Sequence, residues 1–436
     1  MKRTILWFRN DLRLHDHPAL HAALKACDEI VPAFILDERY LQRDRWGFRR
    51  TGPYRLQFLL ESLEDLRNHL KELGGNLVLR IGLPEREIPA VAAEYDCTAV
   101  YASQEYTHEE KKVEEALKKV LPLHLFHAST LYPPEQLPFN MDQLPEVFTA
   151  FRKQVERYVR VPFPLETPVK IPVPSLEEGA LPSLSGLGYA VPPTDARAVL
   201  RFRGGAGAAY ERLDDYLWNS HSLSRYKETR NGLVGADYSS KFSPWLANGS
   251  ISVRAIYHEV EAYEAEVEAN DSTYWLKFEL LWREYFKFVA MKHGRRIFFP
   301  GGIQGKSTSW KDNPGLFRQW AAGKTGDRFV DANMRELLFT GFMSNRGRQN
   351  VASYLVHQLK QDWRKGAAWF ESLLLDYDVA SNYGNWMYAA GIGNDPRDRV
   401  FNTAKQASMY DGDGVFRALW LEGAGRDPEA FWESFL

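Results

Sequence analysis

The sequence predicts an α/β domain followed by an all-α domain, joined by a long proline-rich connector. Three observations predict this. Across residues 1–130, five short apolar runs alternate with helix-like stretches, the pattern of a parallel sheet covered on both faces. Twelve of the 23 prolines fall within residues 133–193, which reads as extended chain. After about Gly204 the apolar spacing is helical almost to the end. A length of 436 residues suits two to three domains at roughly 150 residues each. The divisions fall at 1–130, 131–204 and 205–436.

The apolar runs are residues 4–8, 30–36, 77–81, 98–102 and 123–126, the strands of a Rossmann-like sheet. Helices are predicted over 18–26, 53–73, 85–93 and 109–120. The first strand-to-helix turn, Arg9-Asn10-Asp11-Leu12-Arg13, lacks the glycines of a dinucleotide fingerprint, so no NAD is placed there. The connector carries one short helix near 147–160. Gly204-Gly205-Ala206-Gly207-Ala208-Ala209 fails the spacing of a phosphate loop and reads as a helix start. Gly301-Gly302-Ile303-Gln304-Gly305-Lys306-Ser307 fails the Walker spacing, because three residues rather than four separate Gly301 and Gly305.

Composition excludes several classes. Two cysteines, Cys27 and Cys97, supply neither a four-thiolate cluster nor a disulfide framework. His15, His17 and His21 read as a surface helix start, and no metal is expected. The N-terminal apolar run is too short for a signal peptide, and no window of about 18 apolar residues offers a membrane span. A reducing cytoplasm is expected, and no heptad or apolar stripe demands an oligomer, so a monomer is expected. The net charge of −2 does not announce a nucleic-acid binder.

Local charge does. Residues 271–365 carry seventeen basic against eight acidic side chains, and residues 366–436 five against eleven. Trp275, Trp282, Tyr285, Phe286, Trp310 and Trp320 interleave with the basic block, a combination that suits unstacked nucleic acid or a solvated helix face over an aromatic core. Eleven of the 13 tryptophans lie at or after Trp218, as core, stacking surface or electron path. Asp378, Asn382 and Trp386 share one helical face at i, i+4, i+8, and Asn345 and Arg348 share another. Polar stripes in an apolar domain argue a buried polar cofactor, with an Arg paired to an Asp, because unpaired buried charge is costly. Tyr226 and the run Asp237-Tyr238-Ser239-Ser240-Lys241-Phe242-Ser243-Pro244-Trp245-Leu246 offer hydroxyls to a phosphate, with Ser243 also readable as a helix cap.

Together these segments resemble the photolyase/cryptochrome flavoprotein family, and within it the DASH-type cryptochromes. The resemblance begins at Trp7-Phe8-Arg9-Asn10-Asp11-Leu12-Arg13-Leu14-His15-Asp16. It continues through Thr51-Gly52-Pro53-Tyr54-Arg55, Tyr226-Lys227-Glu228-Thr229-Arg230 and the 237–246 run. Tyr274-Trp275-Leu276-Lys277-Phe278-Glu279-Leu280-Leu281-Trp282-Arg283-Glu284, then 345–350 and 376–386, complete it. It implies FAD in the helical domain. Tyr226, Ser239, Ser240 and Ser243 would hold its phosphates and ribityl chain. Glu279, Arg283, Asn345, Arg348, Asp376, Asp378 and Asn382 would line the cofactor and lesion pocket, with Arg348 paired to Asp376 and Asn382 facing flavin N5. Trp386, Trp363 and Trp310 match the family's electron relay.

The implied reaction is blue-light-driven repair of cyclobutane pyrimidine dimers, with Glu279 and Trp282 at the lesion. Tyr388 stands where duplex-repairing photolyases carry Trp, and Gln349 where they carry Met. The resulting polar pocket implies single-stranded or looped DNA as substrate, where unstacking costs less. An antenna pigment, most often 5,10-methenyltetrahydrofolate, would sit in the α/β domain, with Glu109 or the adjacent Glu110 as its carboxylate contact. The same two residues also read as a solvated helix start. The competing reading is a blue-light photoreceptor or regulatory DNA-binding cryptochrome with little repair. Sensors of this family often carry a long C-terminal extension, and the end of this chain at Phe435-Leu436, after an aromatic pattern over 429–435, favours the enzyme.

Overall fold

The structure is a computed structural model that describes residues 1–177, 179–395, 400–422 and 426–433. The end of the 429–435 pattern therefore lies outside the described residues. Five parallel strands, β1 (Arg3–Phe8), β2 (Glu29–Asp37), β3 (Val78–Gly82), β4 (Cys97–Ser103) and β5 (Leu123–Phe126), form one sheet in the order β3-β2-β1-β4-β5. Alternation along the central strand assigns its two faces. Leu6 and Phe8 pack with helices α1 (Pro18–Ala26) and α2 (Pro53–Glu72). Ile5 and Trp7 pack with α3 (Pro84–Glu94) and α4 (His108–Leu117).

Pro32 lies inside β2, where a missing N–H would normally break a ladder. It pairs with Leu6, while the pairing to β3 begins only at Ala33. On that same side, two residues earlier, the Ile30 N–H is taken by Pro172 O at 2.8 Å. The segment after β5 thus covers the sheet where β3 does not reach.

Residues 131–204 touch both halves. Ile171 is buried against the sheet. The Glu284 carboxylate in the long helix Asp271–His293 accepts the Leu131 and Tyr132 N–H groups at 2.9 and 3.1 Å. Among the described residues of this segment there is one α-helix, Phe148–Tyr158, as the sequence predicts, besides three single turns of 3-10 helix. Beyond it the described chain is helical, and its large apolar cluster contains Trp245, Trp320, Trp363, Trp369 and Trp386.

The helix Ala206–Asp214 starts where the glycine run predicts one. A Cβ on Gly204 would lie 2.2 Å from Phe58 O, so the glycine permits contact with α2. Asp65 Oδ2 accepts the Ala206 N–H at 2.7 Å. In the other glycine run, Lys306 Nζ is committed to Gly391 O at 2.6 Å. Two expectations are corrected. His17 is not at the surface but fully buried: its Nδ1 caps α1 by accepting the Leu20 N–H, and its Nε2 meets Asp11 Oδ2 at 3.0 Å. Ser243 is the first residue of the helix Ser243–Asn248 rather than its cap, which falls on Phe242.

Candidate functional site

Two adjoining chambers lie within the helical half. The larger, a cavity of about 390 Å³, is walled by Tyr226, Ser239, Ser240, Ser243, Glu279, Trp282, Arg283, Asn345, Arg348, Gln349, Asp376 and Tyr388. The smaller, about 100 Å³, adds Asp378, Asn382 and Trp386. Asn345, Arg348, Gln349, Asp376, Ser381, Asn385 and Tyr388 line both, so the chambers form one bent site. Fifteen side chains singled out from sequence thus meet there; Trp363, Trp310 and Glu109 lie elsewhere.

Local folding sets each group. Ser344 caps the helix Asn345–Ser353, which turns Asn345, Arg348 and Gln349 toward the chambers. Asp378 caps the helix Val379–Ala389 through the Ser381 N–H at 2.8 Å. Burial pushes its carboxyl up, but Lys287, Arg283 and the Ser381 N–H together hold it well below the ordinary range. Arg348 Nη2 donates to Asp376 Oδ2 at 2.8 Å, as the stripes predict. Asp376 Oδ1 is buried without a partner, and a buried carboxylate oxygen calls for a donor. Asn382 Nδ2 donates to Ala367 O at 3.0 Å; since a carbonyl only accepts, the amide oxygen is the end left for a ligand.

At the larger chamber, Arg230 Nη1 holds Glu279 Oε1 at 2.5 Å, and burial pushes the Glu279 carboxyl up. Trp282 stacks on Phe148 at 3.7 Å and meets Tyr388 edge-on at 6.1 Å. Arg283 spends two amino groups on Ser129 O and Leu246 O, at 2.8 and 3.1 Å, and so ties the chamber wall to two other segments.

Sequence reasoning missed Lys241, which lines the larger chamber, and the buried Glu336, which lines neither chamber. Lys241 lies beside Ser240 with a φ of 58°, buried, with Nζ on Ala236 O at 2.6 Å. Burial pulls its pKa down to about 7. Glu336, in the helix Arg328–Thr340, is buried with both carboxylate oxygens unpartnered and is pushed up by burial to about 8. Lys241 stood inside a quoted run, but Glu336 carried no signal: a glutamate within a helix ordinarily reads as solvated.

These groups suit a flavin dinucleotide: hydroxyls at 239, 240 and 243 donate to phosphates, an unpartnered Asp376 oxygen accepts a ring N–H, and Trp386 lies behind the Asn382 amide. No cluster of three or more metal-ligating side chains occurs among the described residues.

Trp386 presses on Gly366, where an added Cβ would lie 2.3 Å from the indole. Trp363 begins that same helix, Trp363–Leu373. Trp363 and the half-buried Trp310 both donate their indole N–H to Pro300 O, at 3.1 and 3.0 Å. Trp320, outside the predicted relay, lies 6.2 Å from Trp386.

A further cavity of about 480 Å³ separates the sheet from the helices, between Arg9, Glu105, Glu110, Lys287, Phe298 and Tyr383. Glu109 lies at its rim, 58% exposed and paired with Arg50 at 2.7 Å. Glu110 accepts from Tyr40 OH at 3.4 Å and from Thr107 Oγ1. Burial pushes Glu105 up to about 7.

A parallel α/β domain over a helical domain that encloses a bent dinucleotide-sized site defines a two-domain, FAD-binding flavoprotein. The model of the DNA photolyase family matches residues 4–170, and that of the FAD binding domain of DNA photolyase matches residues 275–431. The chain is 50% identical to the cryptochrome DASH of Gloeobacter violaceus, over 98% of this chain and 87% of that one. It is 51% identical to the cryptochrome DASH of Xenopus laevis, over 96% and 82%. The crystal structure of a Synechocystis cryptochrome superposes with a TM-score of 0.94 at 47% identity, over 97% and 89% of the two chains. A class III photolyase from Agrobacterium tumefaciens gives 0.83 at 29%, over 100% and 90%. The chain belongs to the photolyase/cryptochrome family, on its DASH cryptochrome branch.

Proposed function

We propose that the protein repairs cyclobutane pyrimidine dimers under blue light, preferentially in single-stranded or looped DNA. The observation that carries this reading is the bent site: the larger chamber, lined by the three serines, Glu279 and Trp282, shares a wall with the smaller one, lined by Asn382 and Trp386, so donor and substrate would meet without intervening protein. Bound FAD in its reduced, light-excited form supplies the electron that splits the dimer and accepts it back. The chain's own groups do the rest. Ser239, Ser240 and Ser243 take the phosphates, with Tyr226 beside them. Asp376, oriented by Arg348, accepts a ring N–H, and the Asn382 oxygen accepts at flavin N5. Glu279 and Asn345 hydrogen-bond the flipped bases, which Trp282 and Tyr388 bracket. Trp386, Trp363 and Trp310 would relay an electron to photo-excited oxidised flavin from a reductant in solution, which restores the last tryptophan.

In the interdomain cavity we place an antenna pigment, 5,10-methenyltetrahydrofolate, with Glu110 rather than the exposed Glu109 as its carboxylate contact. This divides the labour at the boundaries 1–130, 131–204 and 205–436: antenna, connector and catalysis. No described helix is long and apolar enough to cross a membrane. We place the protein in the cytoplasm as a monomer; both cysteines, Cys27 and Cys97, are free.

The test is blue-light repair, with reduced protein, of one thymine dimer in matched single-stranded and duplex oligonucleotides. Repair of the single strand alone is expected. Equal repair of both would overturn the strand preference. Repair of neither, with FAD bound and photoreducible, would establish the photoreceptor reading instead.

A further inference from the structure

Gln349 lines both chambers, and its amide is not free to turn. Arg346 lies one turn earlier in the same helix, and the two side chains share a face at i, i+3. Arg346 Nη1 donates to Gln349 Oε1 at 2.8 Å. The guanidinium carries only donors, so it accepts the oxygen end of an amide and rejects the NH₂ end.

Arg346 is itself held in place. Its Nη2 donates to Asn231 Oδ1 at 2.8 Å, and its guanidinium lies over the Tyr410 ring at 4.4 Å. The Asn350 amide donates to its backbone carbonyl at 2.9 Å. Asn231 and Tyr410 come from separate segments, so the fork is braced from two sides. The Gln349 NH₂ group, by contrast, makes no hydrogen bond among the described residues, and its side chain borders the cavity.

We infer that Arg346 is a positioning residue that locks the Gln349 amide with its NH₂ toward the lesion chamber, making position 349 an obligate donor to an acceptor carbonyl on the pyrimidine dimer. The inference rests on the proposed lesion pocket. It gives the polar residue at 349 a direction, and therefore a selectivity: a base edge that presents a carbonyl gains a bond, and one that presents an amino group meets a donor. A mismatch of that kind leaves a buried donor unsatisfied.

The test is dark binding of single-stranded oligonucleotides with and without one thymine dimer, read as the ratio of the two affinities. An interaction with the base edge changes the ratio, whereas a phosphate contact changes both affinities alike. Gln349→Met is expected to lower the ratio about ten-fold, the loss of one buried hydrogen bond. Gln349→Glu, which keeps the partner for Arg346 but presents no donor, is expected to lower it as much. Arg346→Met should lower the ratio in the same direction, and the double variant should fall no further than Gln349→Met alone. Asn231→Ala, which loosens the brace without touching Arg346, should give a smaller loss that also vanishes in the Gln349→Met background. The inference is overturned if Arg346→Met weakens both oligonucleotides equally, if the losses multiply, or if Gln349→Glu retains the ratio. A wild-type protein that does not distinguish the two oligonucleotides would overturn the lesion pocket itself.

Discussion

Lys287 Nζ donates to Asp378 Oδ2 at 3.0 Å, within the wall that separates the interdomain cavity from the flavin recess. Asp378 lines both spaces, Lys287 only the first. One buried ion pair thus fixes the helix that carries Asn382 and Trp386 and closes the floor of the neighbouring cavity. Their side chains are 6% and 14% exposed.

Removing one member of such a pair leaves a charge buried without its partner, at a cost of about 3–5 kcal/mol. Lys287→Met is therefore expected to lower the melting temperature sharply and to loosen FAD. Lys287→Met combined with Asp378→Asn should be more stable than Lys287→Met alone. A double variant no better than the single would show that the pair acts through packing and not through charge.

Gly366 sets the position of Trp386. A Cβ there would also lie 2.6 Å from Leu355, so the indole has nowhere to retreat. Gly366→Ala should cost about 1–3 kcal/mol by overpacking and slow photoreduction of oxidised flavin. Trp386→Phe should block photoreduction, while chemically reduced protein still repairs. Stopped-flow and flash photolysis separate the two effects; normal photoreduction in Trp386→Phe would refute the relay.

Glu279 is held by Arg230 and lines the larger chamber but not the smaller one, where Asn382 and Trp386 lie. Glu279→Ala should leave the FAD content unchanged and weaken dimer repair by one to two orders of magnitude, since a hydrogen bond to a charged group is worth about 1.5–3 kcal/mol. Repair at the wild-type rate would remove Glu279 from the lesion site.

The sheet was legible because buried parallel strands read as continuous apolar runs between helical stretches. The predicted runs 4–8 and 30–36 lie inside β1 and β2. The Arg348–Asp376 pair was legible for a different reason: polar stripes in an apolar domain must answer one another. Lys241 and Glu336 were not, because their burial depends on which distant segments close over them, and no local pattern records that. His17 failed in the same way. A histidine at a helix start looks solvated until Phe8, at the end of the central strand, and Asp11 are placed around it. The exposure of Glu109 against the inward position of Glu110 was likewise beyond reach, since adjacent residues on a helix differ by one rotation step that only the packed helix fixes.

The Asp11–His17 contact makes a pH prediction. Burial alone would push the Asp11 carboxyl up, but His17, Ser103 and the Arg9 N–H hold it down to about 2, against an ordinary 3.8. The unfolded chain therefore binds this proton at a higher pH than the folded one. The stabilisation is fully present above about pH 4 and is lost as pH falls from about 4 toward 2, a window worth about 2 kcal/mol. Asp11 begins the turn after β1, and its loss exposes the need of three donors at once. Asp11→Asn should melt several degrees below wild type at pH 7, and the gap should narrow as the pH is lowered toward 3, because the wild type then begins to lose what the variant never had. A gap that stays constant between pH 7 and pH 3 would mean that the carboxylate charge contributes nothing and that shape alone holds the turn.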